Sequence, residues 1–149
     1  MAETLGTLCD KLTVVKLKQY HSEDSVRLTS LAEQEIQLRN EIDRFVSAAV
    51  TRIIPPEKLT FAANKVYKEG SNPIREIDGS IGEVFSLLVV VNCTLWHEQE
   101  KVYEFEKIPP EEKDTVVKQL AILNLERNQC IEKIDMRFRL LVESICDNK

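Results

Sequence analysis

Residues 110–145 read PEEKDTVVKQLAILNLERNQCIEKIDMRFRLLVESI, and this stretch decides the fold. Its apolar residues recur at intervals of three and four, as they do on one face of an α-helix. Pro110 suits the first helical position, and the acidic residues after it suit the positive end of a helix dipole. The spacing predicts one long helix with an apolar stripe close to a heptad repeat, made of Val116, Leu120, Leu123, Ile131, Ile134, Phe138, Leu141 and Ile145.

The segment before this helix predicts a partner for it. Ser80 with Glu83 has the spacing of a capping box, in which each side chain bonds the other residue's backbone amide. A helix should therefore begin at Ile81 and run to about Glu106, before Pro109 breaks it. Two consecutive helices joined by a short proline-containing turn predict an antiparallel hairpin.

The amino-terminal half predicts a second hairpin. Residues 4–28 have helical apolar spacing, and Ser30 with Glu33 forms another capping-box pattern that predicts the start of the next helix. That helix should end before Pro55.

The order of these segments predicts an all-α fold, a four-helix bundle built from two pseudo-repeated helical hairpins. The hairpins should cover about residues 4–53 and 80–146, with a variable connector at about 54–79. A chain of 149 residues is long enough for one domain with a hydrophobic core of its own. We therefore expect residues 1–149 to form a single all-α domain.

Composition limits the classes of partner. The net charge of −5 argues against nucleic acid and anionic membranes, because both attract clustered Lys and Arg. The longest apolar run, Phe85 to Val91, is too short to span a bilayer, and no signal-peptide pattern is present. The four cysteines are widely spaced, which favours free thiols in a reducing compartment. The cytoplasm is the expected location.

Two matching phrases mark where a site could lie. Tyr20 to Asp24 reads YHSED and Trp96 to Glu100 reads WHEQE, and these phrases contain both histidines of the chain. Residues three apart share a helix face, so His21 with Asp24 and His97 with Glu100 could each act together on one ligand. An equally open reading makes each histidine a structural partner of its own acid. The two aromatic residues are most simply explained as part of the core.

A third polar line follows the apolar stripe of the last helix. If it meets the two histidine phrases inside the bundle, the set would form an interhelical polar site. The candidate ligand-binding residues are then His97, Glu100, Asn124, Arg127, Asn128, Glu132, Asp135, His21 and Asp24.

Carboxylates and amide oxygens suit Mg²⁺ or Mn²⁺, so either is a candidate cofactor, with Glu100, Glu132 and Asp135 as candidate metal ligands. His97 is the candidate catalytic residue. For the polar residues of the last helix, a solvated face is the alternative.

Several of these segments together resemble an uncharacterised family of small helical proteins, catalogued as domain of unknown function 4254. The resemblance implies a helical bundle whose shared site includes the candidates around His97, and it supplies no reaction. The matching segments are Glu3-Thr4-Leu5-Gly6, Asp10-Lys11-Leu12, Leu95 to Glu100, Leu123-Asn124, Arg127-Asn128 and Ile131 to Asp135.

A more distant likeness is to the all-α nucleotide pyrophosphohydrolases, which hold Mg²⁺ with Glu-x-x-Glu on one helix and Glu-x-x-Asp on the next. Glu132 and Asp135 fit the second element, whereas His97 replaces the first Glu of the other. This likeness concerns architecture, which does not determine function.

Three functions follow from these observations. The leading hypothesis is an intracellular binding module, a homo-oligomer, whose interhelical site takes a small polar or phosphorylated ligand with or without a divalent cation. The second is a Mg²⁺- or Mn²⁺-dependent nucleotide (pyro)phosphohydrolase. The third is a structural assembly protein that uses exposed apolar residues of the last helix, among them Phe138, Leu141 and Ile145.

Overall fold

The computed structural model describes residues 2–62 and 76–147 and, within these, the side chains up to residue 145. In this part of the chain every regular element is helical. The four α-helices are α1 (Leu5–His21), α2 (Ser25–Val50), α3 (Ile81–Tyr103) and α4 (Pro110–Asp147), with single 3₁₀ turns at Pro56–Lys58 and Phe105–Lys107. The predicted all-α class is therefore confirmed.

The start of α3 is the one that its sequence predicts. The Ser80 hydroxyl accepts a hydrogen bond from the Glu83 amide at 3.2 Å, and the Ser80 amide donates to the Glu83 carboxylate at 3.4 Å. Thr4 caps α1 with Thr7 in the same reciprocal manner. These caps satisfy amide groups that no helical carbonyl can reach, and so they fix where each helix begins.

The boundary between α1 and α2 differs from the predicted one. We expected a first helix reaching residue 28 and a second opening at Ser30, but α1 ends at His21 and α2 begins at Ser25. Asp24 is the cap, because its carboxylate accepts hydrogen bonds from the amides of Val26 at 2.9 Å and Arg27 at 3.3 Å. Ser30 lies inside α2, where a local capping pattern has no free amides to satisfy.

The helices form a four-helix bundle of two hairpins. α1 packs on α2 and α3 packs on α4, and α1 joins the hairpins through contacts with both α3 and α4. The core lies between the hairpins and includes two connector residues, Leu59 and Ile77. Its buried members are Leu5, Ala49, Leu59, Ile77, Val84, Leu88, Cys130, Ile134, Phe138 and Val142.

Gly6 sets the distance between α1 and α4. A Cβ atom at this position would lie 2.5 Å from the backbone oxygen of Ile131, closer than any side chain tolerates. Glycine therefore lets the first turn of α1 rest directly on the backbone of α4. This close approach brings the polar residues of α1 within reach of those on α4.

Parts of the connector and of the surface also bear on the predictions. Residues 63–75, which belong to the predicted variable connector, lie outside the described residues. Of the predicted assembly residues, Phe138 is buried, whereas Leu141 and Ile145 are exposed. None of the helices in the described part of the chain combines the length and hydropathy that a bilayer crossing requires.

Candidate functional site

A buried ion pair joins three helices near the middle of the bundle. Asp10 of α1 accepts a hydrogen bond from Nε of Arg127 on α4 at 2.9 Å, and a second from Nη2 of the same guanidinium. Asn92 of α3 donates its side-chain amide to Asp10 at 2.9 Å. Asp10 and Asn92 are each only 4% exposed, whereas the Arg127 side chain is 34% exposed. The arginine therefore connects a buried carboxylate to the surface.

This arrangement explains the charge and the orientation of the Arg127 guanidinium. The hydrogen bond to Asp10 raises the pKa of the guanidinium, which stays charged. A fork of two N–H groups on one carboxylate is the strongest geometry available to this pair, and it fixes the plane of the guanidinium. Nη1 donates to no protein group in the ranges that the structure describes. One edge of Arg127 is thus held in place and another is open.

Arg127 also lines a cleft of about 380 Å³ that is bordered mainly by α1 and α2. Three cations and two carboxylates border this cleft, together with two glutamine amides on α2. Lys11 is held by an ion pair with Glu3, whereas Lys18 makes no ion pair among the described residues. We call this the arginine cleft, lined by Asp10, Lys11, Val14, Val15, Lys18, Gln34, Gln37, Leu38, Glu41 and Arg127.

Asp135 lies elsewhere and serves the start of α1. Its carboxylate accepts a hydrogen bond from the Gly6 amide at 2.7 Å and another from the Thr4 hydroxyl, and the residue is only 2% exposed. Burial raises the pKa of Asp135 to about 6, and the nearby charge of Glu132 acts in the same direction. Burial likewise raises the pKa of the neighbouring Cys9 thiol to about 11. Asp135 therefore holds the start of α1 against α4.

The two histidine phrases do meet, at the opposite end of α1. The His21 ring stacks on Trp96 with centroids 4.8 Å apart and planes 9° apart, and it meets the His97 ring edge-on at 6.1 Å. Glu100 accepts a hydrogen bond from the Trp96 indole at 3.0 Å, and its other oxygen lies 4.0 Å from Nδ1 of His97. The predicted pairing of His97 with Glu100 on one helix face is present. Tyr20, which we expected in the core, is 85% exposed and touches the edge of His21.

A second cleft, of about 310 Å³, opens beside this group. We call it the aromatic cleft, lined by Lys18, His21, Ser22, Glu23, Asp24, Arg27 and Trp96. The expected pairing of His21 with Asp24 along one helix face is wrong, because the helix ends between them and Asp24 caps α2. Lys18 borders both clefts.

The structure does not bring the whole predicted set into one pocket. α3 and α4 are antiparallel, and Asn92 and Arg127 lie at the same level because both contact Asp10. At a rise of about 1.5 Å per residue, Glu132 then lies about 15 Å from His97 along the bundle, and Asp135 about 20 Å from it. Asn124 is exposed and bonds its own helix through the Leu120 carbonyl, and Asn128 is half-buried.

The predicted metal ligands are separated by the same geometry. Glu100 lies beside Trp96, near the end of α1, whereas Glu132 and Asp135 lie near the start of α1. Among the side chains of residues 2–62 and 76–145, no three from His, Cys, Asp or Glu stand close enough to hold one metal ion. The set Glu100, Glu132 and Asp135 is therefore not a shared metal centre in this structure.

The sequence indicated Arg127 but not the two residues that hold it. Asp10 stood out only as part of the segment Asp10-Lys11-Leu12, on which the resemblance to the uncharacterised helical family rests. Asn92 directly follows the apolar run from Leu87 to Val91. A lone amide beside such a run is a signal for a buried polar contact.

In comparisons with known proteins, the chain matches no family model, and no curated protein or solved structure shows significant similarity to it.

Proposed function

We propose that this protein is a binding module for a small anionic molecule, which it holds in the arginine cleft. The observation that carries the proposal is Arg127, whose guanidinium is fixed on one edge by Asp10 and reaches solvent on another. A phosphate or carboxylate group would pair with the open edge. A guanidinium suits this task because it is planar, permanently charged and able to donate two parallel hydrogen bonds.

The rest of the arginine cleft supports an anionic ligand of modest size. Its volume of about 380 Å³ falls within the range of pockets that bind small molecules. Lys18 adds a second cation that has no ion-pair partner among the described residues, and Gln34 and Gln37 add neutral amides. A fixed positive group with polar neighbours is the arrangement by which proteins orient an acidic ligand.

Binding is preferred to hydrolysis for a geometric reason. A metal-dependent hydrolase places its carboxylates around one point on the substrate, but Glu100 and Glu132 lie about 20 Å apart by helix rise. His97 is likewise outside the arginine cleft. The leading hypothesis from the sequence is therefore kept, and its centre moves from His97 to Arg127.

The resemblance to the uncharacterised helical family forms part of this proposal. Asp10 and Arg127 both lie in segments on which that resemblance rests, so the pair would be a shared feature. The cytoplasmic location and the homo-oligomer stay predictions from the sequence. Sedimentation equilibrium of the wild-type chain measures the second.

The test uses inorganic pyrophosphate as a probe, with binding measured by calorimetry and by thermal unfolding. A ligand at about 100 times its Kd stabilises the native state by about 2.7 kcal/mol, which raises Tm by about 5 to 10 °C in a chain of this size. Lys18→Gln should weaken binding about five-fold, as expected for the loss of about 1 kcal/mol of charge interaction.

Lys118→Gln is the matched control, because it makes the same charge change at an exposed site of α4 outside both clefts. It should leave pyrophosphate affinity unchanged. The proposal fails if pyrophosphate neither binds nor raises Tm, or if the two lysine variants weaken binding equally.

A further inference from the structure

We infer that the ligand is a nucleotide-like molecule, with its phosphate chain in the arginine cleft and its planar ring in the aromatic cleft. The inference rests on the proposed function and adds the chemical class of the ligand. It uses residues at the His21 end of α1 that anion binding alone leaves without a role.

The first argument is that the two clefts adjoin along α1, and we call the two together the groove. Lys18 lines both of them, so the two clefts meet at this side chain. From Lys11 to His21 the groove follows ten residues of α1, a length of about 15 Å at 1.5 Å per residue. An extended nucleoside triphosphate has comparable length, whereas a lone phosphate would fill only one end.

The second argument is the aromatic end itself. His21 and Trp96 are stacked almost parallel, and both border the aromatic cleft. The hydrogen bond from the Trp96 indole to Glu100 holds the plane of the tryptophan, so the stack is oriented before a ligand arrives. Aromatic and imidazole faces bind nucleobases by stacking, an interaction that every base provides.

The third argument is the distribution of charge along the groove. With Lys18 counted once, at the arginine cleft, three cations stand against two carboxylates there, and Arg27 stands against Glu23 and Asp24 around the aromatic cleft. The positive end suits phosphate groups. The other end, without an excess of positive charge, suits an uncharged ring and sugar, for which Glu23 offers a hydrogen-bond acceptor. The groove thus has the polarity of a nucleotide.

Trp96 makes the inference directly testable, because it is the only tryptophan of the chain. The probes are ATP and inorganic tripolyphosphate, which share the triphosphate and differ by the nucleoside. Both are titrated into the wild-type protein, with Kd from calorimetry and with Trp96 fluorescence as the local signal. Stacking of one base is expected to make ATP bind about 5- to 150-fold more tightly than tripolyphosphate, and to change Trp96 emission more strongly.

The variant His21→Ala should reduce that affinity ratio to nearly one, because it removes a member of the stack at an exposed helix end. Tyr103→Ala is the matched control, since Tyr103 is 77% exposed and borders neither cleft. It should leave the ratio unchanged.

The outcomes separate the two proposals. If tripolyphosphate and ATP bind equally well to the wild-type protein, the nucleotide inference is overturned and the anion site stands. If neither probe binds, both proposals are overturned. The wild-type affinity ratio distinguishes these results without any variant, so a folding defect in His21→Ala would leave the test intact.

Discussion

The substitution Asp135→Asn should change how the stability of this protein depends on pH. Asp135 is 2% exposed, and burial raises the pKa of its carboxyl to about 6 from the value of 3.8 of the free side chain. Between these two values the native protein retains a proton that the unfolded chain has released. The contribution of Asp135 to the free energy of unfolding therefore decreases as pH rises through this interval. Above about pH 6 this contribution no longer changes with pH.

The magnitude follows from the size of the shift. A difference of about two pH units between native and unfolded pKa corresponds to about 3 kcal/mol, at about 1.4 kcal/mol per unit. Asparagine has nearly the same shape, carries no proton that titrates here, and keeps an oxygen to accept the Gly6 amide. The wild-type protein should thus lose about 3 kcal/mol relative to Asp135→Asn between about pH 4 and about pH 7.

Urea unfolding followed by far-ultraviolet circular dichroism measures this difference at each pH. Comparing the two proteins cancels the groups they share, including Glu3 and Asp78, whose pKa values are lowered and whose contributions have the opposite sign. Asp114→Asn, at an exposed site in the first turns of α4, is the control and should show no such loss of wild-type stability as pH rises. A constant difference for Asp135→Asn, or one that grows in favour of the wild type as pH rises, would refute the reasoning.

Three further predictions concern the elements that position the groove. Gly6→Ala should cost about 1 to 3 kcal/mol in urea unfolding, because its Cβ would overlap a backbone oxygen of α4. Gly82→Ala, with no atom within 4 Å of the new Cβ, is the control and should not lower the free energy of unfolding. Asp24→Ala should lower the unfolding free energy by about 1 kcal/mol, whereas Ser30→Ala should not lower it, and equal losses would contradict the observed start of α2. Asp10→Asn should cost about 1 to 3 kcal/mol in the same assay, because it weakens the two charged hydrogen bonds to the partly exposed guanidinium, and a loss below about 0.5 kcal/mol would show that the pair is not structural.

The fold could be predicted because its signals are local. The spacing of apolar residues in 110–145 and the Ser80 cap each act within a few residues, and the structure confirms the helices that they indicate. The predicted boundary between α1 and α2 was wrong because Asp24 and Ser30 are both acceptable caps within one continuous apolar pattern. Packing selects between them, since the chain must turn where His21 reaches Trp96 of the other hairpin.

The site could be predicted only in part, because it depends on the register between helices. The repeated phrase indicated that His21 and His97 have equivalent positions, and their rings lie 6.1 Å apart. The axial offset of α4 relative to α3 is set by contacts between residues distant in sequence, such as that of Asp10 with Arg127. The pattern of a single helix does not specify this offset. The sequence therefore could not show that the polar line from Asn124 to Asp135 runs along the bundle toward the start of α1, away from His97.

The buried pair of Asp10 and Arg127 links the fold to the groove. An apolar replacement of similar volume would often stabilise a bundle as well as a buried ion pair does, so stability alone gives little reason to retain the charges. One reason is the register of the helices. Asp10 is hydrogen-bonded to Asn92 of α3 and to Arg127 of α4, and all three side chains keep these bonds at only one axial offset of the helices. The open edge of Arg127 gives another, because the same contacts that fix the level also aim a permanent cation into the groove. Holding the helices in register and preparing the anion site that we propose would then be two consequences of one set of hydrogen bonds.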